Sequence, residues 1–268
     1  MTPLIRHPAD GRVHISELKQ FARSPAHYRY ACEHAREMTD AMEVGHLTDC
    51  LVFGGRGFAV WDKNADGVTV SNPVRRGKAF EAFATMAMGR GELVCLPSQL
   101  ERAQSAASAV IANPLASALL DGCEFQRVLQ WESHGLEFAA GIQGQRGGLD
   151  AFKRSGIVDL KTTADVEPDA LSKHAWRMLW HVQAAAYLEG AEQAGLVQTG
   201  ATFHLIAVES VPPHVVTVMR IPPDVIEEGR KSLVRWSERL RACDRTGIFP
   251  GYCEAEVEMT IPEWEAES

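Results

Sequence analysis

The sequence predicts one α/β domain, a β-meander flanked by helices and preceded by a helical N-terminal region. Three observations lead to that class. From residue 15 to about residue 120 most segments keep helical spacing. At residue 125 the pattern changes to short apolar or alternating segments separated by glycine-containing turns. After residue 165 it returns to a long helix, two strands and a last amphipathic helix, an order that does not divide into two modules. With 268 residues, 46% hydrophobic and 23% charged, the chain can bury a sizeable core.

"ISELKQFARSPAHYRYACEHA" opens the helical part, with Ser16 as N-cap after Ile15 and Leu18 and Phe21 on helical spacing. Pro25 interrupts that helix and starts the next. "DAMEVGHLTDCLVFG" predicts a buried helix through Met42, Leu47, Leu51 and Val52. Residues 54–75, rich in Gly, Asp, Asn and Pro, predict a loop with short strands at Phe58–Trp61 and Val68–Val70. "GKAFEAFATMAMGRGELVCL" and the alanine-rich "PSQLERAQSAASAVIANPLASALL" predict helices, the second starting at Pro97 and Ser98. The strands are "FQRVLQWES", "LEFAAGIQ", "QRGGLDAFK" and "GIVDLKT", expected as an antiparallel meander. "EPDALSKHAWRMLWHVQAAAYLEGAEQAG" predicts one long helix, "ATFHLIAVES" and "HVVTVMRI" two strands, and Pro223 to Cys243 the closing helix. The segment "GIFPGYCEAEVEMTIPEWEAES" predicts irregular structure packed over the domain.

Composition removes several function classes. A net charge of −8 gives no global footprint for nucleic acid, although a local basic groove is compatible with it. The six cysteines form no CxxC pair and no disulfide framework, so buried free thiols in a reducing compartment are expected. No HExxH, GxxxxGK[ST] or GxSxG motif occurs, which argues against a zinc hydrolase, an ATPase and a serine hydrolase of those kinds. "MTPLIRHPADGRVHISEL" has no apolar h-region, and no apolar run is long enough to span a bilayer, so a cytoplasmic protein without a membrane partner is expected.

"RGGLDAFKRSGIVDLKTTADV" concentrates the chemistry. Asp159 and Lys161 share one face of a strand, because side chains alternate. Alone, such a pair is more often a salt bridge than a catalytic site. Asp150 closes the preceding strand across a tight turn at Ser155-Gly156, and antiparallel pairing can bring the two carboxylates together. Two crowded carboxylates suit a hard dication such as Mg²⁺ or Mn²⁺, and a neighbouring lysine suits the handling of water or developing charge. Gln183 and Tyr187 in "WHVQAAAY" lie four apart on one helix face, around three alanines that permit close packing.

"GGLDAF…GIVDLKTT" followed by "WHVQAAAY" resembles the PD-(D/E)xK nuclease superfamily in its RecB-like branch, and most of all the RecE-type (exonuclease VIII) phage recombination nucleases. "ISELKQFARSPAHYRY" is similar to the family's opening helix. The similarity covers roughly Ile15 to Gly251, and its specificity lies in the combination. The resemblance implies a restriction-endonuclease-like core with a central mixed sheet, occupying 1–268 as a single nuclease domain. In it, 1–125 is a mostly helical part carrying an early metal ligand, 126–250 the catalytic part and 251–268 a tail. It implies Asp150, Asp159 and the Leu160 backbone carbonyl as metal ligands, Lys161 as the catalytic lysine, and Gln183 and Tyr187 as the supporting helix motif. The family's early Gly-xxx-His is here Gly45-xxx-Asp49, which puts Asp49 in the ligand position, with His46 as the less favoured alternative.

The implied activity is a Mg²⁺-dependent exonuclease, with Mn²⁺ as a second metal, acting 5′ to 3′ on the ends of linear double-stranded DNA. The implied partners are a single-strand annealing protein (RecT-like) and further copies of the chain in a ring. Other readings are a Cas4-like or repair endonuclease and a catalytically decayed DNA-binding protein on the same fold. Thr162, Thr163 and Arg146 are candidate DNA contacts. Lys153, Arg154, Arg75, Arg76 and Lys78 are expected to be solvated. Trp176 and Trp180 are expected in the core, with base stacking as the other role.

Overall fold

The computed structural model describes residues 4–34, 37–141, 148–253 and 255–261. Strand β1 (Val13–His14) leads into a short helix α1 (Ile15–Leu18) and a 3₁₀ turn over Lys19–Ala22. Ser16 lies inside α1 and does not cap it; the cap position is His14. Helix α2 (Pro25–Glu33) has Pro25 in its first turn and Ser24 accepting from the His27 N–H. Helix α3 (Asp40–Phe53) is capped by Thr39. Strand β2 (Phe58–Val60), helix α4 (Lys78–Gly89) and strand β3 (Leu93–Cys95) follow, then helices α5 (Pro97–Ala112) and α6 (Pro114–Leu120). Asn113 accepts from two N–H groups of α6, and α5 and α6 meet at an 83° bend.

Strands β4 (Glu124–Arg127), β5 (Leu129–Ser133), β6 (Leu136–Ala140), β7 (Leu149–Lys153) and β8 (Gly156–Thr163) come next. Helices α7 (Pro168–Arg177) and α8 (Trp180–Gln193), strands β9 (Thr202–Glu209) and β10 (Val216–Ile221), and helix α9 (Pro223–Thr246) complete the order.

The main sheet is mixed, in the order β10-β9-β8-β7-β4. Strand β7 runs antiparallel to β4 and β8, β8 runs parallel to β9, and β9 runs antiparallel to β10. The parallel β8–β9 pair requires a crossover, which α7 and α8 supply. On one face Phe152, Ile157, Phe203 and Leu205 pack with α8 and α9 residues such as Val182, Leu188 and Leu233. On the other, Ala151, Val158, Leu160 and Ile206 pack against Ala106 and Val110 of α5 and Phe53 of α3. Burial of both faces explains the apolar character of Ile157, Val158 and Leu160 in β8 and of Leu205 to Val208 in β9.

Several elements differ from the sequence expectation. The meander is split: β5 and β6 form a hairpin that joins β1 in a separate three-stranded sheet, leaving β4, β7 and β8 together. "FQRVLQWES" breaks into β4 and β5, with Gln126 at φ +53° just before the break. Val68–Val70 forms no strand, only a bridge between Lys63 and Thr69. "GELVCL" leaves the helix and becomes β3, paired in parallel with β2. The long helix is two helices, broken where Leu179 adopts φ +56° and ψ +39°. Among the described residues no single helix is long and apolar enough to cross a membrane.

Candidate active site and metal centre

Strands β7 and β8 stop pairing after Ala151 and Val158. Beyond that point the Leu160 N–H donates to Asp150 Oδ2 at 3.0 Å in place of a ladder bond. The gap opens a cleft of about 850 Å³, lined by Asp150, Asp159, Leu160, Lys161, Gln183 and Tyr187, with Asp49 and His46 of α3. Gly148, at φ +112°, lets the chain enter β7 here: a side-chain carbon would lie 2.3 Å from the Arg127 carbonyl oxygen. Gly45 also brings α3 close to β8, since a carbon there would sit 2.8 Å from Thr162 Oγ1.

The carboxylates are crowded and poorly solvated. Asp159 is 3% exposed. Its Oδ1 accepts from Gln183 Nε2 at 3.0 Å. Its Oδ2 faces Lys161 Nζ in an ion pair. Burial, then the charge of Asp159, pushes the Asp150 carboxyl up to about 7. Burial and Asp150 push Asp49 well above the usual carboxylate range, and Asp159 adds to the effect. Burial alone would lower the Lys161 ammonium, but attraction from Asp159, Asp150 and Asp49 outweighs it and leaves the net shift upward. Burial, with Asp159 and Asp150, also raises Tyr187, which keeps its hydroxyl neutral.

Asp49, Asp150 and Asp159 line one cleft with Lys161, and carboxylate oxygens are the ligand chemistry that a hard dication takes. Asp49 lies in the same cleft, within the field of Asp150 and Asp159. His46, three residues before Asp49, also lines it, and its Nδ1 is buried without a partner.

The sequence reading missed Lys19. This residue of the 3₁₀ turn donates to Gln183 Oε1 at 3.2 Å, and burial together with Lys161 lowers its ammonium to about 7. No local periodicity marks it. Glu17, His7, Arg56 and Arg90 also line the cleft. At its edge His7, Asp10 and His14 bring donor atoms within 4.8 Å of one another. Asp10 is engaged there by His14 Nε2 at 3.0 Å and the Arg12 N–H at 3.1 Å.

Other candidates fall elsewhere. Thr162 and Thr163 are not among the cleft-lining residues, and the Thr162 hydroxyl lies against Gly45. Arg146 lies outside the described residues. Arg75 is not a solvated loop cation: it pairs with Glu43 at 2.7 Å and donates to Gln99 at 2.6 Å. Trp180 is in the core, with Lys161 Nζ 5.9 Å from its ring centroid, but Trp176 is 52% exposed, against the core expectation. Of the six cysteines only Cys32, Cys95 and Cys243 are buried, and Cys253 is exposed.

No curated protein matches the sequence. A solved structure named "Putative exonuclease", from Eubacterium rectale, superposes with a TM-score of 0.61 at 14% identity, covering 94% of this chain and 91% of that one. At that identity the likeness shows the fold. The model of the PDDEXK-like domain of unknown function (DUF3799) matches residues 14–259. With nearly the whole chain matched and the Asp-Asp-Lys cluster at the strand fork, the chain belongs to this PDDEXK-like family.

Proposed function

We propose that the protein is a Mg²⁺-dependent DNA exonuclease that hydrolyses phosphodiester bonds at the ends of linear duplexes, digesting 5′ to 3′ and leaving a 3′ single strand. The observation that carries the reading is the meeting of Asp49, Asp150, Asp159 and Lys161 in one cleft. The name given to the Eubacterium rectale neighbour is in line with it.

In this reading Asp49, Asp150, Asp159 and the Leu160 carbonyl would hold the metal. A bound dication would supply polarisation of the phosphate and activation of water. Lys161, whose protonated form is favoured by the carboxylates, acts as a donor that orients water and stabilises charge on the phosphate oxygens. Gln183 fixes Asp159 through Oδ1, and Lys19 fixes the Gln183 amide by engaging its carbonyl oxygen. Tyr187, kept neutral, offers a hydroxyl donor on the same helix face. Asp49 is favoured over His46 as the α3 ligand because it is a carboxylate that lies in the field of Asp150 and Asp159, which together with burial push it upward.

Following the RecE-type resemblance, the protein works as a ring-shaped homo-oligomer and hands its strand to an annealing protein. The test uses linear duplex labelled at either 5′ or 3′ ends, beside a covalently closed circle. With Mg²⁺ the 5′ label is released early, the 3′ label stays on long single strands, and the circle is untouched. EDTA stops all digestion. Nicking of the circle would replace the exonuclease reading by an endonuclease, and intact duplex in every metal would remove the nuclease reading.

A further inference from the structure

Helix α8 serves a second surface besides the cleft. Between α7, the start of α8, the end of β10 and the start of α9 lies a groove of about 780 Å³. Its apolar floor includes Met219, Ile221 and Val225, and its charged lining is Lys173, Arg177 and Arg220, with no carboxylate among the described lining residues. In a chain of net charge −8, three cations without an acid are a local exception. Trp176, 52% exposed, stands in this groove and stacks on His181, with ring centroids 4.3 Å apart and planes 8° apart. His181 is only 5% exposed, and its Nδ1 has no hydrogen-bond partner.

This arrangement sits at a break in the backbone. Leu179 takes the left-handed conformation between α7 and α8, a costly state for a residue with a side chain. The break lets Trp176 and His181 stack across it while Trp180 turns toward Lys161. Groove and cleft are therefore joined through neighbouring residues of one helix.

We propose that this groove binds single-stranded nucleic acid, one base stacking on Trp176 and the flanking phosphates engaging Lys173, Arg177 and Arg220. The proposal rests on the nuclease reading and deepens it, giving one strand a path beside the cleft. A rigid exposed indole with cations around it matches a planar base between two phosphates. A purely apolar partner segment would leave three cations desolvated and unpaired, which is costly.

The test is fluorescence anisotropy of a labelled oligothymidylate with the full-length protein in EDTA, where nothing is cut. Trp176→Ala should weaken binding roughly ten- to a hundredfold, and Trp176→Phe should keep most of the affinity. Arg177→Ala and Arg220→Ala should each flatten the salt dependence of log K by about 0.7. Lys231→Ala, on α9 outside the groove, should bind as the wild type does. Thermal melts check folding, which substitution of a half-exposed Trp176 should leave intact. Binding by Trp176→Ala within twofold of wild type would overturn the proposal, as would a loss of self-association without a loss of oligonucleotide binding. Digestion with unchanged Trp176→Ala binding would sink the groove alone; lost Trp176→Ala binding without digestion in any metal would sink the nuclease reading alone.

Discussion

Asp150, Asp159, Lys161, Gln183 and Tyr187 were legible in the sequence because strand and helix periodicity place them on shared faces within some forty residues. Lys19 was not, because it reaches Gln183 across 164 residues of chain. Its effect is testable. Lys19→Met should free the Gln183 amide to turn and cut the cleavage rate about tenfold, in the range typical of a lost positioning contact. A KM left unchanged would mark it as a positioning residue, and a full rate would contradict the contact's importance. The raised Asp150 carboxyl makes a second prediction. A carboxyl whose folded pKa is raised to about 7 favours the metal-free fold at low pH, and that advantage is lost as pH rises from the ordinary carboxylate range through about 7. A dication competes with that proton, so added Mg²⁺ should raise the melting temperature more at pH 8 than at pH 6. An equal or reversed shift in calorimetry would contradict the coupling. Asp49→Asn should lose more of that metal-induced shift than His46→Ala.

Element types were mostly readable, and their partners were not. Strands β4 to β8 were visible as short alternating segments, but that β5 and β6 leave the main sheet depends on pairing with β1, more than a hundred residues earlier. The division of α7 from α8 carries no Gly or Pro signal, since Leu179 provides the turn. The three alanines of α8 do allow close packing: Ala184, Ala185 and Ala186 are each fully buried. Gly229 of α9 completes that contact, because a side-chain carbon there would lie 2.3 Å from the His181 carbonyl oxygen. Gly229→Ala should therefore destabilise the fold by about 1–3 kcal/mol, the usual cost of overpacking. A denaturant midpoint equal to wild type would show that α9 can shift without cost.

For the whole molecule, the sheet is clamped between an α8–α9 layer and an α3–α5 layer, and the cleft opens where α3 meets the fork of β7 and β8. One carboxylate thus comes from the N-terminal part and two from the catalytic part, so neither part is expected to bind the metal alone. Light scattering should give a closed multiple of the 29.4 kDa chain if the ring reading holds, and a 29.4 kDa species would contradict it. The most direct measurement of the central claim is the digestion of end-labelled linear duplex by wild type and by Lys161→Ala at saturating Mg²⁺, with metal binding followed in parallel by calorimetry. The account predicts digestion by wild type, a loss of at least about a hundredfold in Lys161→Ala, as for other removed charge-stabilising donors, and retained metal binding in the variant. Equal digestion by the two proteins would contradict it.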